Sequence, residues 1–200
     1  EQSVASQPGA WNDDGDALPE GTIQVQWPAG AVSDLAGNLS AAASASFVLD
    51  RLAPSGQLVD PVPDSTTNQD QGFVEILWSD NSGGSGLDSS GFGVADVTIT
   101  GVSVDRIEVL GGGLVRYWYN DDGDALSEGN VQVQWVQGAV SDQAGNPSAA
   151  SGAAFTLDIL PPVGVLSGPA PGSTIDTDPG YVEVQWLDPG GAGLDALSFG

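Results

Sequence analysis

The chain has no lysine, histidine, cysteine or methionine in 200 residues, and its only arginines are Arg51, Arg106 and Arg116. Without histidine or cysteine it lacks the usual ligands of zinc, copper, haem and iron–sulfur clusters, the Ser-His-Asp and Cys-His nucleophiles, and any redox thiol. Without lysine it has neither a G-x-x-x-x-G-K-S/T phosphate loop nor an isopeptide staple. The missing disulfides fit a reducing compartment or an outer surface equally and do not choose between them. No apolar run reaches bilayer-spanning length, and no leader pattern opens the chain. Both ends are expected to be cuts in a longer or processed polypeptide.

What the chain has is acid. Twenty-seven carboxylates against three arginines give a net charge of −24. Such a polyanion repels nucleic acid and anionic lipid, so neither nucleic-acid binding nor membrane insertion is expected. Only hard cations held by oxygen remain as metal partners, with Ca2+ the candidate and no other cofactor implied.

The sequence also repeats. "NDDGDALPEGTIQVQWPAGAVSDLAGNLSAAASASFVLD" (12–50) matches "NDDGDALSEGNVQVQWVQGAVSDQAGNPSAASGAAFTLD" (120–158) at 28 of 39 positions. The match continues from 51–93 into 159–200 once one residue is dropped. A period of about 107 residues is one small domain, too long for a solenoid turn. "NVQVQW" (130–135) and "YVEVQW" (181–186) alternate apolar and polar residues as half-buried strands do. Further strands are expected at 97–100, 104–110, 114–119 and 153–157, with "GGG" (111–113) as a hairpin turn. About seven short strands per repeat, with no helical periodicity, predict an all-β chain of tandem two-sheet sandwiches whose tryptophans fill the cores. "FVLDRLAP" (47–54) and "FTLDILPP" (155–162) each end a strand and run through an aspartate into proline. Domain boundaries are therefore expected near 50 and 158: the C-terminal part of one repeat (1–50), a complete repeat (51–158) and the N-terminal part of a third (159–200).

"LSEGNVQV", "VSDQAGN", "FTLD" before proline, and "SGLD" after a tryptophan strand together resemble the bacterial Ig-like domains of large secreted or surface proteins, including repetitive adhesins and biofilm proteins. The D-x-A-G-N turns at 34–38 and 142–146 are the most specific part of the likeness, which spans nearly the whole chain. The resemblance implies an extracellular or cell-surface β-sandwich array that spaces, extends or assembles, in some cases stiffened by calcium.

Three acidic sets are candidates for metal. Asp121, Asp122, Asp124 and Glu128, with their repeats Asp13, Asp14, Asp16 and Glu20, crowd carboxylates around one glycine. Their spacing is not that of an EF-hand, and an acidic turn is preferred over a calcium loop there. Asp80 with Asp88, and Asp188 with Asp195, flank glycine-rich loops whose backbone could fold back and offer carbonyls to a cation. A solvated flexible loop is the equal alternative. Asp34 and Asp142 read as structural turn residues, and Asp50 and Asp158 as strand-ending caps rather than ligands. A carboxylate pair for glycoside hydrolysis would need a cleft that a feature repeated in every domain does not suggest, so no enzyme is expected.

The expected function is a stalk, fibre or matrix module. It would assemble with adjacent repeats or with copies of itself, end to end through incomplete terminal domains, unless the chain is an excerpt. The alternative is a glycan- or host-receptor-binding module, for which Tyr117, Trp118 and Tyr119 would have to form an exposed platform.

Overall fold

The computed structural model describes residues 17–199, and its regular structure there is strand with three short 3-10 turns. At the start β1 (Gly21–Trp27) pairs antiparallel with β2 (Ala43–Leu49). Eight strands follow: β3 (Ser55–Asp60), β4 (Thr66–Thr67), β5 (Phe73–Ser79), β6 (Val97–Ile99), β7 (Arg106–Gly111), β8 (Leu114–Trp118), β9 (Gly129–Trp135) and β10 (Ser151–Leu157). The last hairpin pairs β11 (Val163–Gly168) with β12 (Glu183–Leu187).

The eight central strands make two four-stranded sheets, ordered β3-β5-β8-β7 and β4-β10-β9-β6. Neighbours run antiparallel except β4, which pairs parallel with β10 at the edge. The alternation in sequence decides which side chains face inward. Val74, Ile76 and Trp78 of β5 are buried with Val115 and Tyr117 of β8, and they meet Val131, Val133 and Trp135 of β9 and Phe155 and Leu157 of β10 in one cluster. Trp78 and Trp135 join the two sheets edge to face, with ring centroids 6.1 Å apart. Each such aliphatic side chain contributes about 1.5–3 kcal/mol on burial, so this sandwich holds most of the hydrophobic stabilisation of the described residues.

The turn between β7 and β8 falls on the glycines expected to make it. Gly112 and Gly113 both have positive φ, 62° and 84°, as a two-residue type I′ turn requires. Of the central strands β4 is only two residues long, so this segment has eight strands where about seven were expected. "YVEVQW" begins to pair only at Glu183, leaving Tyr181 and Val182 exposed.

The same registers recur 108 residues apart. Gly21 pairs with Leu49 as Gly129 pairs with Leu157. Ser55 pairs with Ser79 as Val163 pairs with Leu187, and the bulge between Leu58 and Asp60 returns between Leu166 and Gly168. Burial does not recur. Trp27 is 41 % and Trp186 46 % exposed, whereas their central counterparts Trp135 and Trp78 are 4 % and 1 %. The expectation that tryptophans fill cores therefore holds only where both sheets are present, because a single hairpin has no facing layer to cover an apolar side.

Candidate metal centre

Two turns of chain, at 50–51 and 158–159, bring carboxylates together. Asp50 leaves the end of β2 and reaches forward into the loop after β5, where its Oδ2 accepts from the Ser85 amide at 2.7 Å and its Oδ1 from Leu52 at 3.2 Å. Asp80 closes that loop on itself, accepting from Asn81 (2.8 Å) and Gly86 (2.7 Å). Asp142 heads the turn 142–146 and accepts from the Asn146 amide (2.8 Å) and side-chain Nδ2 (2.7 Å). Asn146 Nδ2 also donates to the Asp50 carbonyl at 3.0 Å, tying the three loops together. One oxygen each from Asp50, Asp80 and Asp142 lies within 4.8 Å of the others, with Asp50 and Asp142 buried.

The physics of this trio is that of anions solvated by backbone. All six carboxylate oxygens accept an N–H, which offsets their desolvation and mutual repulsion. The Ser85 backbone and side-chain donors hold the Asp50 carboxyl below the ordinary carboxylate range. Each oxygen keeps a second lone pair, so the set still suits a hard cation, supplying three of the six to eight oxygens that calcium takes.

The second turn repeats the hook. Asp158 Oδ2 accepts from the Ala192 amide at 2.8 Å, and Asp188 accepts from Gly190 (3.3 Å) and Gly193 (2.5 Å). The loop is one residue shorter: positive φ falls at Gly83 and Gly86 in the first and at Gly191 and Gly193 in the second.

These contacts rearrange the acidic sets expected from sequence. Asp80 and Asp88 do not converge. Asp88 accepts from the Ser90 amide and hydroxyl at the start of a 3-10 turn, which lowers its pKa, and Asp195 caps the equivalent turn through Leu197. Asp80 instead meets Asp50 and Asp142, the residues that sequence assigned to a strand cap and a turn. The acidic turn at 120–129 also disperses. Asp121 pairs with Arg106 at 2.6 Å, Asp122 accepts from the Asp124 amide, Asp124 from Ser103, and Glu128 from Ile159 at 3.1 Å. Glu20 pairs with Arg51 at 2.7 Å, and Asp13, Asp14 and Asp16 lie outside the described residues. Asp70, which the sequence did not single out, holds this turn from below, accepting from Tyr119 Oη (2.6 Å) and the Leu126 amide (2.8 Å).

The expected aromatic platform is also divided. Tyr117 and Tyr119 are buried, and Trp118 on the opposite face lies under the Arg106 guanidinium at 4.3 Å and beside Phe73, with ring centroids 5.0 Å apart. Strand pleating sends neighbouring side chains to opposite faces, so three consecutive aromatics cannot share a surface.

No family model and no curated protein matches the chain. Among solved structures it is similar to the N-terminal part of the bacterial S-layer protein SbsC, with TM-score 0.39 and 18 % identity over 57 % of this chain and 26 % of that one. The matched part is about a quarter of that protein's chain.

Proposed function

We propose that the chain is a structural module of tandem Ig-like sandwiches, with units at 1–50, 51–158 and 159–200, from a stalk, fibre or matrix of a bacterial surface or secreted protein. The aspartate hook carries this reading. At both junctions the last residue of one repeat accepts an amide from the glycine loop of the next, Asp50 from Ser85 and Asp158 from Ala192. Such a contact fixes the angle between neighbours, which a spacer needs and a catalyst does not, and we assign the module no catalysis. The apolar faces left by β1–β2 (Val25, Trp27, Phe47) and β11–β12 (Val184, Trp186) suit coverage by sheets like the central ones, from adjacent repeats or other copies.

Small-angle scattering tests the hook. Replacing Asp50 and Asp158 together by alanine should broaden the distribution of dimensions and raise the apparent flexibility. Unchanged curves sink the proposal. Calcium between Asp50, Asp80 and Asp142 belongs to the same reading, and it predicts a longer, stiffer particle with calcium than with chelator.

A further inference from the structure

One turn occurs twice in the same shape, once covered and once exposed. In 28–40 the Gly30 amide donates to the Ser40 carbonyl at 2.8 Å, and the Asn38 amide and Nδ2 donate to Asp34 at 2.8 and 2.7 Å. In 136–148 the equivalent bonds from Gly138 and Asn146 have the same three lengths. This second turn lies on the glycine loop after β5. There Asp88 donates to the Ser141 carbonyl (2.9 Å), Gln143 to the Gly86 carbonyl (2.8 Å) and Ala144 to Ser85 Oγ (3.0 Å). Val140 is 1 % exposed beneath it, whereas its counterpart Val32 is 69 % exposed. The exposed turn is thus already folded, and the Leu35 amide and Ser33 carbonyl, counterparts of Gln143 and Ser141, have no partner among the described residues.

The loop that such a turn docks on also has an uncovered copy. Loop 188–195 repeats loop 80–88, and the Asp195 amide and Gly193 carbonyl, counterparts of Asp88 and Gly86, have no partner among the described residues. Ala192 stands in place of Ser85 and has no hydroxyl to accept a bond. The exposed turn does not need one, because the Ala36 amide, counterpart of Ala144, donates to its own Asp34 at 2.9 Å. The hairpin faces match in the same way. Val25, Trp27 and Phe47 of β1–β2 repeat Val133, Trp135 and Phe155, while Val184 and Trp186 of β11–β12 repeat Ile76 and Trp78. In the central sandwich these two sets bury each other; on the hairpins both are exposed.

We infer that a second copy of this chain covers these faces head to tail: β1–β2 and turn 28–40 of one copy dock on β11–β12 and loop 188–195 of the next. The central sandwich supplies the geometry. The Leu35 amide donates to the Gly193 carbonyl, the Asp195 amide to the Ser33 carbonyl, and Trp27 meets Trp186 edge to face as Trp135 meets Trp78. The inference rests on reading the chain as a structural module and names that module's partner. Each copy carries both a face and its complement, so the contact is heterologous and repeats from copy to copy. Apolar burial and backbone pairing drive it. Two chains of net charge −24 repel each other, so salt strengthens it.

Sedimentation of the whole chain over a range of concentration and salt tests the contact, with Trp27→Glu and Trp186→Glu as variants. Both side chains are exposed and outside the central core, so an unchanged melting curve verifies folding. The wild type should form oligomers that grow with concentration and salt, and each variant alone should associate at least about thirtyfold more weakly. An equal mixture of the two variants should form a dimer and nothing larger, because only the Trp186 end of one and the Trp27 end of the other remain intact. In that dimer the Leu35 amide should gain protection from hydrogen exchange. A wild type that stays monomeric overturns the inference. So does association that either variant retains, a mixture that stays monomeric, or a dimer that leaves Leu35 unprotected. The hook is read separately, by scattering of the Asp50→Ala, Asp158→Ala protein, so neither result decides the other.

Discussion

The junctions at 50–51 and 158–159 start from nearly the same sequence and end in different electrostatic states. Both place an aspartate in the next glycine loop and a glutamate beside it. At the first, Arg51 neutralises Glu20, and Asp142 adds a third carboxylate held by Asn146. At the second, an isoleucine replaces the arginine, the loop loses a residue, and two oxygens are left without donors. A lost arginine and a shortened loop thus give two joints built on the same aspartate hook different electrostatic surroundings.

The largest perturbation should strike both junctions at once. Trp135→Ala removes the side chain that joins the two central sheets and should cost about 3–5 kcal/mol in denaturant unfolding, loosening both hooks together. If one hook survives, its repeat holds it without the central core.

Asp142→Ala should separate the two. It removes the acceptor of the part-buried Asn146 amide, at about 1–3 kcal/mol, while Asn146 Nδ2 keeps its bond to the Asp50 carbonyl. Hydrogen exchange at Ser85 should speed up while Ala192 stays protected.

A milder break is Asp50→Ala, which removes the acceptor of the Ser85 and Leu52 amides. Exchange there should accelerate by about tenfold, with the central core unchanged. Acid gives the same effect without mutation. Because the folded pKa of Asp50 is depressed, its contribution is complete above the ordinary carboxylate value and disappears as pH falls through the lower folded value. The Ser85 amide shift should therefore hold steady at pH 5 and move only in stronger acid.

The smallest effect belongs to Arg51→Met. The Arg51–Glu20 pair is largely exposed, and such pairs contribute little to stability. The melting temperature should barely change, but the depression of the Glu20 pKa should shrink to what the residue-51 amide maintains, which carboxyl NMR reads directly.

Much of the fold was legible because strands write their burial into a two-residue period. The alternation in "NVQVQW" locates β9 and its buried face, and "GGG" marks a turn that only glycine makes easily. The candidate centre was much less legible. Aspartate density pointed to 120–129, where the carboxylates turn outward to Arg106, Ser103 and their own backbone. Asp50 and Asp142 looked like cap and turn residues, and locally they are. Ninety-two residues separate them in sequence, and nothing local says that their loops meet.

The sequence by itself determined the all-β character, the repeated pattern, the turn positions and the exclusion of thiol, imidazole and lysine chemistry, because these follow from side-chain inventory and short-range periodicity. Only the tertiary structure decided which carboxylates face one another, which tryptophans are covered and which junction lacks a counter-charge. Those depend on distances between loops far apart in the chain, and electrostatic energy is set by separation and burial rather than by order in sequence.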